Sequence, residues 1–174
     1  MKTNTLLFGA LAGLAAVSTV VSGYAAAATD ARAEVIFSQP EKFTDVRDAY
    51  SGSDKGREAN LNLIRDYILS RANKYVPDGQ KLTITFTDID LAGDFEPWRG
   101  PEGMDIRVVK DIYPPRMDLE FKLVGADGAV LKEGKRQLRD LAFMSKLSIN
   151  TNDSLRFDKA LLDDWLMSEF GRAK

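Results

Sequence analysis

LTITFTDIDL, from Leu82 to Leu91, begins as a strand and changes its pattern half-way along. Leu82, Ile84 and Phe86 alternate with Thr83, Thr85 and Thr87, the period of two that gives a strand one buried and one exposed face. Carried on without a break, the alternation puts Asp88 and Asp90 on the apolar side and Ile89 and Leu91 on the threonine side. Either a bulge near Thr87 re-aims the side chains, or the strand runs past the edge of the core and its last residues meet something new. In both cases Asp88 and Asp90 share a face about 7 Å apart, and such a pair needs positive charge nearby. Arg99, Arg107, Lys110 and Arg116 follow in the same stretch.

Working outward, Met117, Leu119, Phe121 and Leu123 alternate with Asp118, Glu120 and Lys122, a second half-exposed strand. The turn at Gly125 to Gly128 returns the chain into Ala129 to about Leu138 as a hairpin, with Gly134 suggesting a bulge in the second arm. Upstream, AEVIFS (Ala33 to Ser38) reads as a short strand, and Phe43 and Val46 reach the core edge. Leu61, Ile64, Ile68, Ala72 and Tyr75 recur at spacings of three and four, one face of a helix that starts near Ser53 or Asp54 and ends before Pro77. Met104 to Lys110 reads as a strand, and 141–149 is ambiguous between loop and short strand. A last helix carries Leu155, Leu162, Trp165, Leu166 and Phe170, with Asn152, Asp153 or Ser154 as its cap and Gly171 as its stop.

The polar rows decide the architecture. A sheet covered on both sides needs nearly continuous apolar strands, whereas the threonine row and the Asp118, Glu120, Lys122 row face away from the core. The expected fold is therefore α+β: a two-layer sandwich of a mixed four- or five-stranded sheet with two helices on one face. In that arrangement Ile89 and Leu91 emerge on the wet face. The expectation is that the loop from Gly93 to Gly103 folds back, that Trp98 shields one of them, and that an arginine holds the acids.

The runs DIDLAGDFEPWRG and DIRVVKDIYPPR resemble the signature of a family of small secreted Gram-negative proteins, the domain of unknown function three-zero-one-six. PEKFTDV (Pro40 to Val46) and LLDDW (Leu161 to Trp165) are similar to that family's other recurring patches. The resemblance implies an exported envelope protein and carries no activity, cofactor or catalytic residue with it.

Residues 3–29 hold no charge and come directly after Lys2. The apolar run Leu6 to Val21 and the small residues Ala26-Ala27-Ala28 fit a secretory signal peptide over 1–28 with a single domain over 29–174. An uncleaved anchor is the alternative, although a run so rich in Gly and Ala makes a poor permanent span. The expected location is the periplasm, with no stable membrane span after processing. Absence of cysteine excludes disulfides and a lipid-modified cysteine. Removal of the leader leaves 146 of the 174 residues, enough for one core, with 23 basic against 26 acidic residues, so no polybasic surface for nucleic acid is expected.

The chain has neither His nor Cys. That removes the usual general base, the nucleophilic triads and ordinary zinc, haem and iron–sulfur sites, and no cofactor or metal is expected. Catalysis would fall to carboxylates, Lys, Tyr or Ser, and a metal would be a hard ion held by oxygen. Asp88, Asp90, Asp94 and Glu96 fit a divalent-cation site or an acid/base pair, and equally a salt-bridged turn. An EF-hand loop fails, because counting from Asp88 its fifth position is Ala92 and its twelfth Arg99. Phe95 and Trp98 fit a sugar or peptide platform, or plain cover for the core. Lys135, Arg136 and Arg139 read as a solvated basic face. The candidate binding residues are thus Asp88, Asp90, Asp94, Trp98, Arg99, Arg107 and Arg116, with no catalytic residue assigned. The favoured function is a non-catalytic binding or assembly module whose partner is an envelope protein or cell-envelope component. The alternative is a carboxylate-based enzyme or divalent-cation-binding protein centred on Asp88 and Asp90.

Overall fold

The computed structural model describes residues 32–48, 54–100, 105–146 and 151–171, and of Arg99 the backbone alone. The expected leader over 1–28, the helix-start signal at 51–53, the loop tip at 101–104 and the end of the ambiguous segment at 147–149 lie outside the described residues. In chain order the elements are β1 (Ala33–Phe37), α1 (Asp54–Tyr75), β2 (Lys81–Asp90), β3 (Asp94–Phe95), β4 (Arg107–Val108), β5 (Arg116–Val124), β6 (Val130–Arg139) and α2 (Arg156–Phe170). A four-stranded mixed sheet has the order β1-β2-β5-β6, and β3 and β4 form a separate two-stranded ribbon. β1 and β2 are parallel with α1 between them, while β2, β5 and β6 run antiparallel.

The alternating strands fix one face. Leu82 lies opposite Leu123, Ile84 opposite Phe121 and Phe86 opposite Leu119, and all six are buried. Each such side chain contributes roughly 1.5–3 kcal/mol on leaving water. Leu61, Ile64, Ile68, Ala72 and Tyr75 of α1 and Leu161, Leu162, Trp165 and Leu166 of α2 join the same cluster. Both helices therefore back one face, and Tyr67 of α1 donates to Asp163 of α2 at 2.8 Å across their seam. The α+β sandwich stands as read from the polar rows. No described helix is long and apolar enough to cross a membrane.

The change of pattern in β2 is resolved by a bulge. Phe86 pairs with Leu119, Asp88 with Asp118 and Ile89 with Met117, so Thr87 is the extra residue that opposes nothing. One added residue restores Ile89 to the core face, where it and Leu91 are buried beside Phe86. The expectation that these two emerge on the wet face under Trp98 is overturned, and Trp98 is 72 % exposed.

Three smaller readings also change. The strand expected over Met104 to Lys110 shortens to Arg107–Val108 and pairs with Asp94–Phe95 rather than with the main sheet. Gly134 is in regular register opposite Phe121, and the irregularity of that hairpin lies at Leu123/Val124. What Gly134 provides is room: a Cβ there would stand 2.8 Å from Arg136 Nη1 and 3.3 Å from the Phe121 ring, where the guanidinium lies over the aromatic face. At the start of α2 the cap position is Leu155 with no side-chain bond, and Asp153, two residues earlier, accepts from the Leu155 N–H at 3.0 Å.

A second, smaller core anchors the end of β2. Phe143, in a 3-10 turn over Phe143–Ser145, packs edge-on against Phe157 at 4.9 Å between centroids, with Ala92 completing the cluster and Val109 against it. Four chain segments thus meet where β2 ends.

Candidate functional site

After β1 the chain makes a short excursion and returns to the same edge of β2. Ser38 N–H donates to the Phe86 carbonyl at 2.9 Å, and a 3-10 turn at Pro40–Lys42 leads the chain out. Phe43 and Val46 then bury themselves, and Asp45 pairs in parallel with Asp90, donating to the Ile89 carbonyl and accepting from Leu91 N–H, each at 3.0 Å. The register carries on across the sheet: Asp90 lies opposite Arg116, and Arg116 opposite Arg139. Positions in lateral register project to one face, so the sheet ends in a row that reads Asp45, Asp90, Arg116, Arg139.

Each acid in this row has an assigned partner. Asp45, nearly buried, accepts from Arg107 Nη2 at 3.0 Å and Arg47 Nε at 3.4 Å. Asp90 accepts from Arg116 through one oxygen, Oδ2, with Nε at 2.9 Å and Nη2 also in contact. Burial nonetheless pushes the Asp90 carboxyl above its usual range, outweighing Arg116, and Asp45 and Asp88 push in the same direction. Asp88 is held by Thr44, whose N–H and hydroxyl each donate at 2.7 Å, and among the described residues not by a guanidinium.

Arg107 ties the row to the loop that follows. Its guanidinium also donates to the carbonyls of Gly93 at 2.9 Å and Arg47 at 3.1 Å, and it stands 4.6 Å from the Phe95 ring, with Arg47 over the same ring at 5.0 Å. Gly93 is required for the approach. It has φ +86, and a Cβ would meet the Val108 carbonyl oxygen at 2.8 Å. Asp94 folds its carboxylate onto the Phe95 N–H at 2.7 Å, and buried Glu96 contacts Lys110 and accepts from Tyr113 at 3.2 Å.

Between this loop and the charged row lies a cleft of about 370 Å³. Asp90, Arg116 and Arg139 line it together with Gly93, Ile112 and Tyr113. Of the sequence-derived candidates, Asp90, Asp94 and Arg116 line the cleft, and Arg107 holds two of its lining residues, Asp45 and Gly93. Asp88 faces an adjoining groove, Trp98 lines neither, and the Arg99 side chain lies outside the described residues. The described residues include no group of three or more acidic side chains placed to hold a metal ion.

Sequence reasoning missed Asp45, Tyr113 and Asp158. Asp158 is fully buried in the first turn of α2, where its Oδ1 accepts from Ala92 N–H at 3.0 Å and its Oδ2 has no hydrogen-bond partner among the described residues. Burial pushes its carboxyl up to about 7, against the backbone hydrogen bonds and Arg107, with Asp90 adding to the rise. A signal was present: Asp158 occupies the apolar stripe continued by Leu161, Leu162 and Trp165.

Fold and site together define a small α+β sandwich with a charge-lined cleft where its parallel pair of strands ends. The chain belongs to the family described as Protein of unknown function (DUF3016), whose model matches residues 31–168. No curated protein and no solved structure matches the chain.

Proposed function

We propose that this is an exported, periplasmic binding module without catalysis, and that the cleft at the end of β2 is its contact surface for an envelope component. One observation carries the reading. The carboxylates of the stretch that a carboxylate enzyme would use are committed to the scaffold: Asp88 to Thr44, Asp90 to Arg116, Asp94 to its neighbour's N–H and Glu96 to Lys110 and Tyr113. A cleft lined by arginines and by Ile112, Tyr113 and Pro114 remains open beside them, with room for a ligand. The uncharged run before Asp30 supports export.

The test uses the full chain expressed in a Gram-negative host. Fractionation with amino-terminal sequencing should recover a protein beginning near Thr29 from the periplasm. The recovered ¹⁵N-labelled protein, titrated with envelope extract, should show shifts centred on Gly93, Tyr113 and Arg116 while the extract's components stay unchanged. Consumption of a component would reverse the ranking toward a carboxylate enzyme, and shifts confined to another surface would remove the cleft.

A further inference from the structure

The scaffold offsets the charge of Arg116 through Asp90, Asp88 and Asp118, while Arg139, opposite it, lines the cleft. Like charges directly opposite on neighbouring strands oppose pairing, yet these two residues sit in register at the last rung of β5 and β6. Arg116 spends Nε and Nη2 on a single oxygen of Asp90, leaving its Nη1 without a partner among the described residues. Among the same residues Arg139 makes no side-chain hydrogen bond or ion pair at all, unlike Lys132 and Arg136 of its strand, which both bind Glu169, and Lys135, which binds Glu120 at 2.5 Å. Both arginines line the cleft of about 370 Å³ and also a second groove of about 400 Å³, so they stand on the ridge between the two. Asp88, which faces that second groove, has both oxygens taken by Thr44, and Asp118 receives a long contact from Gln137 at 3.4 Å.

We propose that Arg116 and Arg139 form an oxyanion site, and that the ligand of the cleft presents a carboxylate or phosphate group to their unused N–H donors. The planar guanidinium of Arg139 offers parallel donors that match an oxyanion in a pair, Arg116 adds its remaining Nη1, and an anion between them turns a repulsive rung into an attractive one. Asp90 acts as the positioning residue. It fixes Nε and Nη2 of Arg116, which leaves Nη1 as the edge free to bind. This inference names the ligand chemistry of the cleft proposed above and rests on that reading.

The experiment titrates the ¹⁵N-labelled protein with inorganic phosphate and, separately, with citrate at constant ionic strength, following the arginine Nε–Hε signals. Saturable binding that moves the Arg116 and Arg139 signals is expected with at least one anion. Response to phosphate alone identifies a phosphate-bearing ligand, and response to citrate identifies a carboxylate. Arg139→Gln should weaken binding by about tenfold and Arg139→Lys by less, since Lys keeps the charge and loses the fork. Lys135→Gln, which removes the same charge from the same strand, should change it less than about twofold. Absence of saturation with both anions, or equal weakening in Arg139→Gln and Lys135→Gln, would overturn the site. If the anions fail while envelope extract still shifts the cleft residues, the oxyanion inference alone falls. If anions bind at the arginines and extract does nothing to the cleft, the binding-module reading falls.

Discussion

The two ends of β2 are built from the same alternating pattern and are held by different physics. From Leu82 to Phe86 the strand is fixed by apolar side chains that interlock with β5 and both helices. From Asp88 to Leu91 its inward residues stay apolar, but its outward residues are held by polar contacts, Asp88 by hydrogen bonds from Thr44 and Asp90 by an ion pair with Arg116, beside the Asp45–Arg107 pair. The divider is one residue, Thr87. A bulge lets a strand keep its core face while bending its polar face toward a loop, so scaffold and cleft share one element.

The contrast breaks most visibly at the apolar end. Phe86→Ala removes a ring with no exposed surface and should cost about 3–5 kcal/mol of unfolding free energy in a denaturant titration, independent of pH and salt. At the polar end the largest effect should come from pH. Asp158 has a folded-state pKa raised to about 7 by burial, above its unfolded value near 3.8, so the stability it contributes is fully present below about pH 4 and is lost as pH rises through about 7. Unfolding free energies of wild type and Asp158→Asn, compared from pH 4 to 8, should diverge by roughly 2–4 kcal/mol, with the variant gaining on wild type as pH rises. A difference that stays flat across that range would mean that Asp158 is solvated or paired.

Arg107→Ala should cost about 2–3 kcal/mol, because it strips the shorter of two guanidinium contacts from a nearly buried Asp45 and frees the Gly93 turn. Loss of β3–β4 amide protection in hydrogen exchange, with the core strands unchanged, would place that damage in the loop. Trp98→Ala sits at the other limit. The exposed indole covers neither Ile89 nor Leu91, and a change within about 0.5 kcal/mol is expected. A loss of several kcal/mol would restore the aromatic flap.

How far the sequence could be read depends on the range of the interactions. The stripe from Leu61 to Tyr75 and the alternation from Met117 to Leu123 are local periodicities, and each predicts its own buried face. Local alternation also showed that something happens at Thr87, but it could not choose between a bulge and an overrun, because that choice depends on Met117 and Leu119 some thirty positions away. The same limit hid the row from Asp45 to Arg139. Its members come from four separate parts of the chain and meet only through strand register, so Arg139 looked like part of a solvated basic face. That Arg116 holds an acid was legible, since both lie in one stretch; that Thr44 holds Asp88 was not. Asp158 was legible in principle as an acid in an apolar stripe.

The most direct test is calorimetric titration of the full chain with calcium, magnesium and manganese, on wild type and Asp90→Asn. With Asp88 and Asp90 already bound to Thr44 and Arg116, neither protein should give saturable heat with any of the three ions. Saturable binding to wild type that disappears in Asp90→Asn would mean that these carboxylates are free to take a cation, and would contradict the assignment of the strand end to scaffold.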